Sequence, residues 1–284
     1  MKNRLSCRLL FQLNIRTVDR VSEGDVYANA PVALVALEVR HPSAGQLSTA
    51  DRTTMKRLLG KRLPILRSGQ VTNFQAVSGE APRVSIEQFP KYFSRSNTTA
   101  ASIRDTSIVV ETTRHRSWEE MRSLLEDVLK ARLHVGDIDG IERIGLRYIN
   151  EVRVPQSDGP DWDQWVDSSL LGQTEIGEKL GLEPVQWQGV TVFSRGLQRL
   201  LTLRHGPREG YAVEPGGDLK RPAPTPGPYF LLDIDSFWAT DGPVPEFDLP
   251  FLLQMADDLH EPVRSLFENL ITQRLREEVL SRSD

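Results

Sequence analysis

Apolar runs along the chain are short and closely spaced, and their composition predicts strands. Runs rich in valine, isoleucine, threonine and aromatic residues, bounded by proline, glycine or polar turn residues, are typical of β-structure. They cover residues 31–40, 71–77, 83–93, 102–113, 141–154, 185–193, 197–204 and 229–238. Because most of them are joined by short turns rather than by helices, the pattern indicates antiparallel hairpins.

Helical periodicity is confined to three longer stretches. Polar residues at Ser48 and Thr49 precede apolar side chains at helical spacing that end before Pro64. The segment Ser117-Trp118-Glu119-Glu120 fits a capping box and begins a second amphipathic helix. Residues 249–280 repeat apolar side chains in steps of four and three, and Pro262 is expected to kink this helix or to start a new one.

The order of these elements predicts an α+β fold with antiparallel or mixed sheets. We expect two coupled sheet-plus-helix halves, residues 25–155 and 156–284, the second ending in a long helix. Residues 205–228 contain six prolines and five glycines, a composition that predicts a mobile loop able to order on binding. Residues 1–24 place five basic side chains around a short, interrupted apolar stretch, which predicts a poorly ordered extension; a basic amphipathic arm is the alternative.

Composition and charge exclude several classes of protein. The chain has 284 residues with 39% hydrophobic and 26% charged side chains, as in an ordinary folded domain. No apolar run approaches the ~18 residues of a membrane span, and the single cysteine, Cys7, allows neither an internal disulfide nor a cysteine zinc site. The net charge is −4, and it is −7 without the five basic and two acidic residues of the extension. This balance disfavours nucleic acid as a partner, the lack of a long apolar run disfavours a membrane, and we expect a cytoplasmic protein.

The sequence patterns of common catalytic sites are missing from the chain. It contains no phosphate-binding G-x-x-x-x-G-K-[ST] loop, no G-x-G-x-x-G after a strand, no G-x-S-x-G turn and no H-E-x-x-H helix. A lone histidine on a helix, such as His260, is expected to pack or to cap. No metal-ligand spacing connects the histidines, which are His41, His115, His134, His205 and His260. These observations favour a non-enzymatic protein without a cofactor.

Charged residues interrupt three otherwise apolar predicted strands. Asp233 and Asp235 occupy alternate positions of one strand, and so do Glu38 and Arg40 on another. Side chains at alternate positions lie on the same face of a sheet. Together with Arg147, these residues predict a ladder of opposite charges on a polar sheet face, and such a face also suits a small polar ligand.

Two further residues of the strand that carries Arg147 are candidates for the ligand site. Tyr148 and Asn150 alternate with the charged positions, and an aromatic hydroxyl beside an amide is typical of a pocket lining. The alternative is that Tyr148 is a core residue whose hydroxyl reaches a backbone group. The candidate ligand-binding set is therefore Glu38, Arg40, Arg147, Tyr148, Asn150, Asp233 and Asp235.

A metal site is the alternative interpretation of the two aspartates. The pattern Asp233-Ile234-Asp235 suits Mg²⁺, which binds a few carboxylates and otherwise water or phosphate. Glu111 is then the third candidate ligand. This alternative describes a metal-dependent enzyme of phosphoryl or nucleotidyl transfer.

Basic residues form a stripe on the first predicted helix and a smaller cluster before the second. The cluster consists of Arg114 and Arg116, whereas the stripe consists of Lys56, Arg57, Lys61 and Arg62. No aromatic residues interleave with them, so we interpret both as solvated surface rather than as a nucleic-acid footprint. The apolar stripe of the C-terminal helix is expected to pack on its own sheet, with self-association as the alternative.

Several segments resemble a sporadically distributed family of uncharacterised bacterial proteins, often from actinobacteria. The most specific is R-I-G-L-R-Y-I-N at residues 143–150, followed by L-L-D-I-D at residues 231–235. The resemblance extends from residue 25 to the C-terminus, and Pro262 departs from it. It implies an intact folded unit in a bacterial cytoplasm, and the patchy distribution of the family suggests an accessory or defence system. We expect a non-enzymatic protein that binds a partner protein or a small polar ligand.

Overall fold

The computed structural model describes residues 27–75, 83–155, 160–172, 174–182, 186–196, 198–222 and 224–281. Among these residues, nine strands form a single sheet. The strands are β1 (Val32–Arg40), β2 (Ile65–Gln75), β3 (Arg83–Phe93), β4 (Thr99–Ile103), β5 (Ser107–Thr112), β6 (Arg143–Val152), β7 (Gly189–Ser194), β8 (Arg199–Gly210) and β9 (Gly227–Ala239). The predicted extension, residues 1–24, lies outside the described residues.

Every pair of neighbouring strands in the sheet is antiparallel. Their order is β2-β3-β4-β5-β1-β6-β9-β8-β7. The prediction of an α+β fold with an antiparallel sheet is therefore confirmed. The strands on both sides of residue 155 join this one sheet through the pairing of β6 with β9, so the prediction of two sheet-plus-helix halves is not confirmed. The predicted strand 102–113 is two strands, β4 and β5, that form a hairpin.

Three of the helices cover one face of the sheet. The helices are α1 (Thr49–Leu59), α2 (Trp118–Leu133), α3 (Thr174–Lys179), α4 (Leu249–Leu270) and the short α5 (Gln273–Leu275). Helix α1 packs on β3 and α2, and α4 packs on β6, β9 and α2. Val35, Leu37 and Val39 alternate along β1 and are fully buried beneath the helices, which accounts for the two-residue apolar period of that strand.

Polar residues begin the helices as their sequence patterns predict. Ser48 and Asp51 form a reciprocal capping box at α1, and the Ser117 hydroxyl accepts a hydrogen bond from the Glu120 amide at α2. The apolar stripe of α4 is buried in the core of this chain through Leu252, Ala256, Leu259, Val263 and Leu270. No helix of the described segments is long and apolar enough to cross a membrane.

Helix α4 continues through Pro262, where the sequence predicts a kink or a new start. A proline inside a helix leaves the carbonyl four residues earlier without its amide donor. Here that carbonyl belongs to Asp258, and the Arg195 guanidinium donates a hydrogen bond to it at 3.0 Å. The turn between β7 and β8 therefore satisfies the group that the proline frees, and no second helix starts at this position.

The opposite face of the sheet is crossed by residues 211–222, which we call the strap. The sequence predicts a mobile loop over 205–228, whereas residues 205–210 complete β8 and residues 227–228 begin β9. Within the strap, Leu219 is buried against Phe93 and Ala100. The Lys220 amide donates to the Asn97 carbonyl at 2.8 Å, which fixes the far end of the strap against the turn between β3 and β4.

Ion pairs rather than a large apolar surface hold the strap to the sheet. The Glu151 side chain on β6 is only 3% exposed and accepts from Arg153 at 2.7 Å and from Arg221 of the strap at 2.6 Å. Lys91 on β3 contacts Glu111 at 2.8 Å and Asp218 of the strap at 3.1 Å. The pairs that the strap makes join residues that are distant in sequence, so the composition of residues 205–228 does not reveal them. Its prolines and glycines alone predict a mobile loop.

We expect Glu151→Ala to lower the free energy of unfolding by about 3–5 kcal/mol, because it leaves the buried Arg221 guanidinium without its counter-charge. Urea denaturation measures the change. The matched control is Glu278→Ala, which breaks an exposed pair with Arg274 on one helical turn and should cost no more than about 1 kcal/mol. Equal losses in both variants would contradict the role assigned to Glu151.

Candidate functional site

The face of the sheet opposite α1, α2 and α4 carries a network of charges, which we call the ladder face. Glu38 on β1 contacts Arg143 at 2.7 Å, and Arg143 in turn lies 3.6 Å from Asp235 on β9. Arg147 and Asp233 form two hydrogen bonds of 2.7 Å each. Arg40 contacts Glu38 at 3.0 Å, and Arg204 lies 3.6 Å from Asp233. The five predicted charged residues therefore lie on one face and pair with opposite charges.

The charged side chains of the ladder face compensate one another. The Asp233 side chain is only 5% exposed and is held by the paired N–H groups of Arg147, the strong geometry for an arginine and a carboxylate. These hydrogen bonds raise the pKa of Arg147, and burial raises the pKa of Asp235 although Arg143 and Arg147 oppose the shift. A ligand on this face must displace ion pairs that are already formed.

The three candidate metal ligands are not brought together. Glu111 lies on β5, three strands from β9, which corresponds to about 14 Å at the usual strand spacing. It pairs with Lys91, whereas Asp233 and Asp235 lie beside arginines. Within the described ranges, no three His, Cys, Asp or Glu side chains form a group that could hold a metal ion.

Tyr148 and Asn150 lie on the other face of the sheet from the ladder. Tyr148 is opposite Val35 in the pairing of β6 with β1, and both side chains lie under the helices. The prediction that all seven candidates share one polar face is therefore wrong for Tyr148 and Asn150. Side chains alternate along a strand, so these two lie on the face opposite Arg147. The Asn150 side-chain amide donates to the Leu232 carbonyl at 3.0 Å in the buried interior.

A cavity of about 460 Å³ adjoins Tyr148 and Asn150, and we call it the aromatic cavity. It lies between the end of β6, the start of α2 and the second half of α4. Its walls contain more aromatic rings and imidazoles than carboxylates. The lining residues are Tyr27, Ala30, Pro31, Val32, His115, Ser117, Trp118, Glu119, Tyr148, Asn150, His260, Val263, Arg264, Phe267 and Glu268.

Four rings pack around the inner wall of the aromatic cavity. Tyr148 meets His115 edge to face with 5.3 Å between ring centres, and its hydroxyl lies 3.4 Å from His115 Nε2. His260 stacks on Trp118 with 4.3 Å between centres and a 3° interplanar angle. The Trp118 ring is held in turn by its Nε1–H, which donates to Asp257 at 2.8 Å. These contacts fix the rings before any ligand is present.

Burial keeps the titratable groups of this wall uncharged at neutral pH. It lowers the pKa of both His115 and His260 to about 4, and for His260 the neighbouring His115 adds to the shift. Burial also raises the pKa of the Tyr148 hydroxyl well above its usual value. At the rim, burial and the hydrogen bond to Glu268 raise the pKa of Tyr27 to about 12. The inner wall therefore offers neutral donors and acceptors, whereas the rest of the lining includes the side chains of Glu119, Arg264 and Glu268.

The sequence identified two residues of the aromatic cavity and missed its histidines and tryptophan. His115 and His260 are 145 positions apart in sequence, and only the packing of α4 beside α2 brings both to Tyr148. On the ladder face, Arg143 and Arg204 were also missed. The position of Arg143, four residues before Arg147 on the same strand face, is the signal that would have identified it.

A comparison of the chain with known protein families finds no match. A comparison with curated proteins also finds none. The resemblance of residues 143–150 and 231–235 to a bacterial family therefore stays a prediction. In the structure these two segments are neighbouring strands, and β6 contributes to both the ladder face and the aromatic cavity.

We expect the protein to lose stability as the pH falls from about 7 to 4, because the unfolded chain binds protons at His115 and His260 before the folded chain does. Each histidine contributes about 1–2 kcal/mol to the loss between pH 7 and pH 5, which urea unfolding measures. The variant lacking both imidazoles, His115→Asn with His260→Gln, should show a smaller loss. A titration by NMR that finds both pKa values near 6.5 would contradict this interpretation.

Proposed function

We propose that this protein binds a small organic molecule in the aromatic cavity, and that the ladder face has a structural role. The observation that carries the proposal is the preformed wall of Tyr148, His115, His260 and Trp118 around about 460 Å³ of space. Sites for small molecules are typically concave, of a few hundred Å³, and lined by apolar and aromatic groups with a few placed polar atoms. The aromatic cavity has each of these properties.

The chemistry of the walls favours a flat, largely uncharged group as the part of the ligand inside the cavity. Aromatic side chains prefer edge or offset contacts with other rings, and the rings here are held in place by Asp257 and by one another. Neutral imidazole and phenol groups supply hydrogen bonds without the cost of burying a charge. The ligand therefore differs from the small polar molecule that the ladder of charges suggests.

The pKa values favour binding over acid–base catalysis at this wall. A general acid or base works best when its pKa lies near the working pH. The pKa values of His115 and His260 lie near 4 and that of Tyr148 lies far above neutrality, so none of the three is suited to proton transfer at pH 7. This argument supports the non-enzymatic function expected from the sequence.

The setting of this binding function rests on the resemblance of residues 143–150. It favours a bacterial cytoplasmic protein of an accessory or defence system, in which a partner protein recognises the ligand-bound form. The apolar stripe of α4 is used within this chain, so the proposal does not place that partner on the stripe.

The test uses 1-naphthol, a neutral flat probe, in calorimetric titrations. We expect saturable binding of one molecule per chain. Val263→Phe fills the cavity from α4 and should weaken the binding by about tenfold or more, a loss of about 1.4 kcal/mol. Val190→Phe is the matched control, because it adds the same ring to an exposed position of β7 and should leave the binding unchanged.

Two results would contradict the proposal. One is the absence of saturable 1-naphthol binding to a wild-type protein that unfolds cooperatively. The other is binding that Val263→Phe leaves intact, because that result places the probe outside the aromatic cavity.

A further inference from the structure

A second cavity, which we call the arginine cleft, lies beside the aromatic cavity at the start of α2. It has a volume of about 210 Å³. Its lining is rich in guanidinium and hydroxyl groups, in contrast to the rings of its neighbour. The polar residues are Arg62, Ser94, Ser96, Thr98, Thr99, Thr112, Arg114, His115, Arg116, Ser117 and Glu120. This cleft contains the small basic cluster that the sequence led us to interpret as solvated surface.

The charges of the arginine cleft are only partly compensated. Arg62 is held by Asp127 at 3.0 Å and by the Glu120 carbonyl at 2.8 Å. Arg114 and Arg116 form no ion pair with a carboxylate of the described segments, in contrast to the arginines that pair on the ladder face and at the strap, which are Arg40, Arg143, Arg147, Arg153 and Arg221. The Glu120 carboxylate also lines the cleft. It is exposed, as are Arg114 and Arg116, so solvent screens all three charges, and the lining contains more guanidinium groups than carboxylates.

The start of α2 and a row of hydroxyl groups are two further polar features of the arginine cleft. Helix α2 has 16 residues, and its N-cap Ser117 and Glu120 of its first turn line the cleft. The amide groups and the dipole at a helix N-terminus favour an anion. Across the cleft, the Ser96 hydroxyl lies 3.2 Å from that of Ser94 and 2.8 Å from that of Thr98, so these hydroxyls form a hydrogen-bonded row along the wall.

The arginine cleft and the aromatic cavity share part of their walls. His115 and Ser117 line both of them. Because the two cavities meet at these residues, one ligand can extend from the aromatic cavity into the arginine cleft.

We propose that the ligand of the aromatic cavity carries a phosphate-type oxyanion, and that the arginine cleft binds this group. The inference rests on the function proposed above. Arginine pairs with phosphate through two parallel N–H···O hydrogen bonds, and the dipole at the start of α2 favours the same negative charge. The ligand class is therefore a small phosphate monoester of a flat, apolar group.

The experiment compares 1-naphthyl phosphate with 1-naphthol and with inorganic phosphate in calorimetric titrations of the full chain. We expect 1-naphthyl phosphate to bind about tenfold more tightly than 1-naphthol, as charge-assisted hydrogen bonds of the arginines would give. The double variant Arg114→Gln with Arg116→Gln should abolish this advantage and leave 1-naphthol binding unchanged.

The matched control removes two positive charges elsewhere. Arg57→Gln with Lys61→Gln changes exposed residues of α1 and of the turn that follows it, which do not line the arginine cleft, and it should keep the tenfold advantage. Inorganic phosphate should bind more weakly than 1-naphthyl phosphate to every variant, because it lacks the group that fills the aromatic cavity.

The outcomes separate the two proposals. If 1-naphthol binds but the phosphate adds nothing, or if the control variant loses the advantage equally, the arginine cleft is not an oxyanion site and the aromatic cavity still is a binding site. If Val263→Phe leaves the binding of both naphthyl probes intact, or neither probe binds, then the proposed function and this inference both fail.

Discussion

The two-residue alternation of β6 is the constraint on which the other features depend. This strand lies at the centre of the sheet between β1 and β9, and its residues face both sides in turn. Arg143 and Arg147 point to the ladder face, where they meet carboxylates of the neighbouring strands. Tyr148 and Asn150 point beneath the helices, where they form the floor of the aromatic cavity. One eight-residue segment therefore supplies a structural network and a candidate site on opposite faces.

The ladder face and the strap explain why the candidate site lies on the helical side. Ion pairs occupy the exposed face of the sheet, and Arg221 of the strap reaches the buried Glu151 on β6. Breaking such a pair leaves a buried charge without compensation, so the arrangement is strongly specified even where its net contribution to stability is small. On the helical side, space remains above Tyr148 between the start of α2 and the second half of α4, and four packed rings form its inner wall.

The sequence predicts most elements of the fold because their patterns are local. The period of β1, the caps of α1 and α2 and the stripe of α4 each arise within a few neighbouring residues. The strap and the continuity of α4 are different, since they depend on distant partners: Arg221 with Glu151, and Arg195 with the Asp258 carbonyl. The candidate site likewise combines features that local patterns predict with features that depend on distant residues. Alternation alone predicts that charged strand residues share a face, but the meeting of His115 with His260 requires the packing of two helices, which no local pattern encodes.

The central claim is that a ligand lies on the helical side of β6 rather than on the ladder face. A crystal structure of the protein with 1-naphthyl phosphate tests it most directly. We expect density for the naphthyl ring between Tyr148 and the stacked pair of His260 and Trp118, with the phosphate group against Arg114 and Arg116. Density for the ligand among Arg147, Asp233 and Asp235, with the aromatic cavity empty, would contradict it.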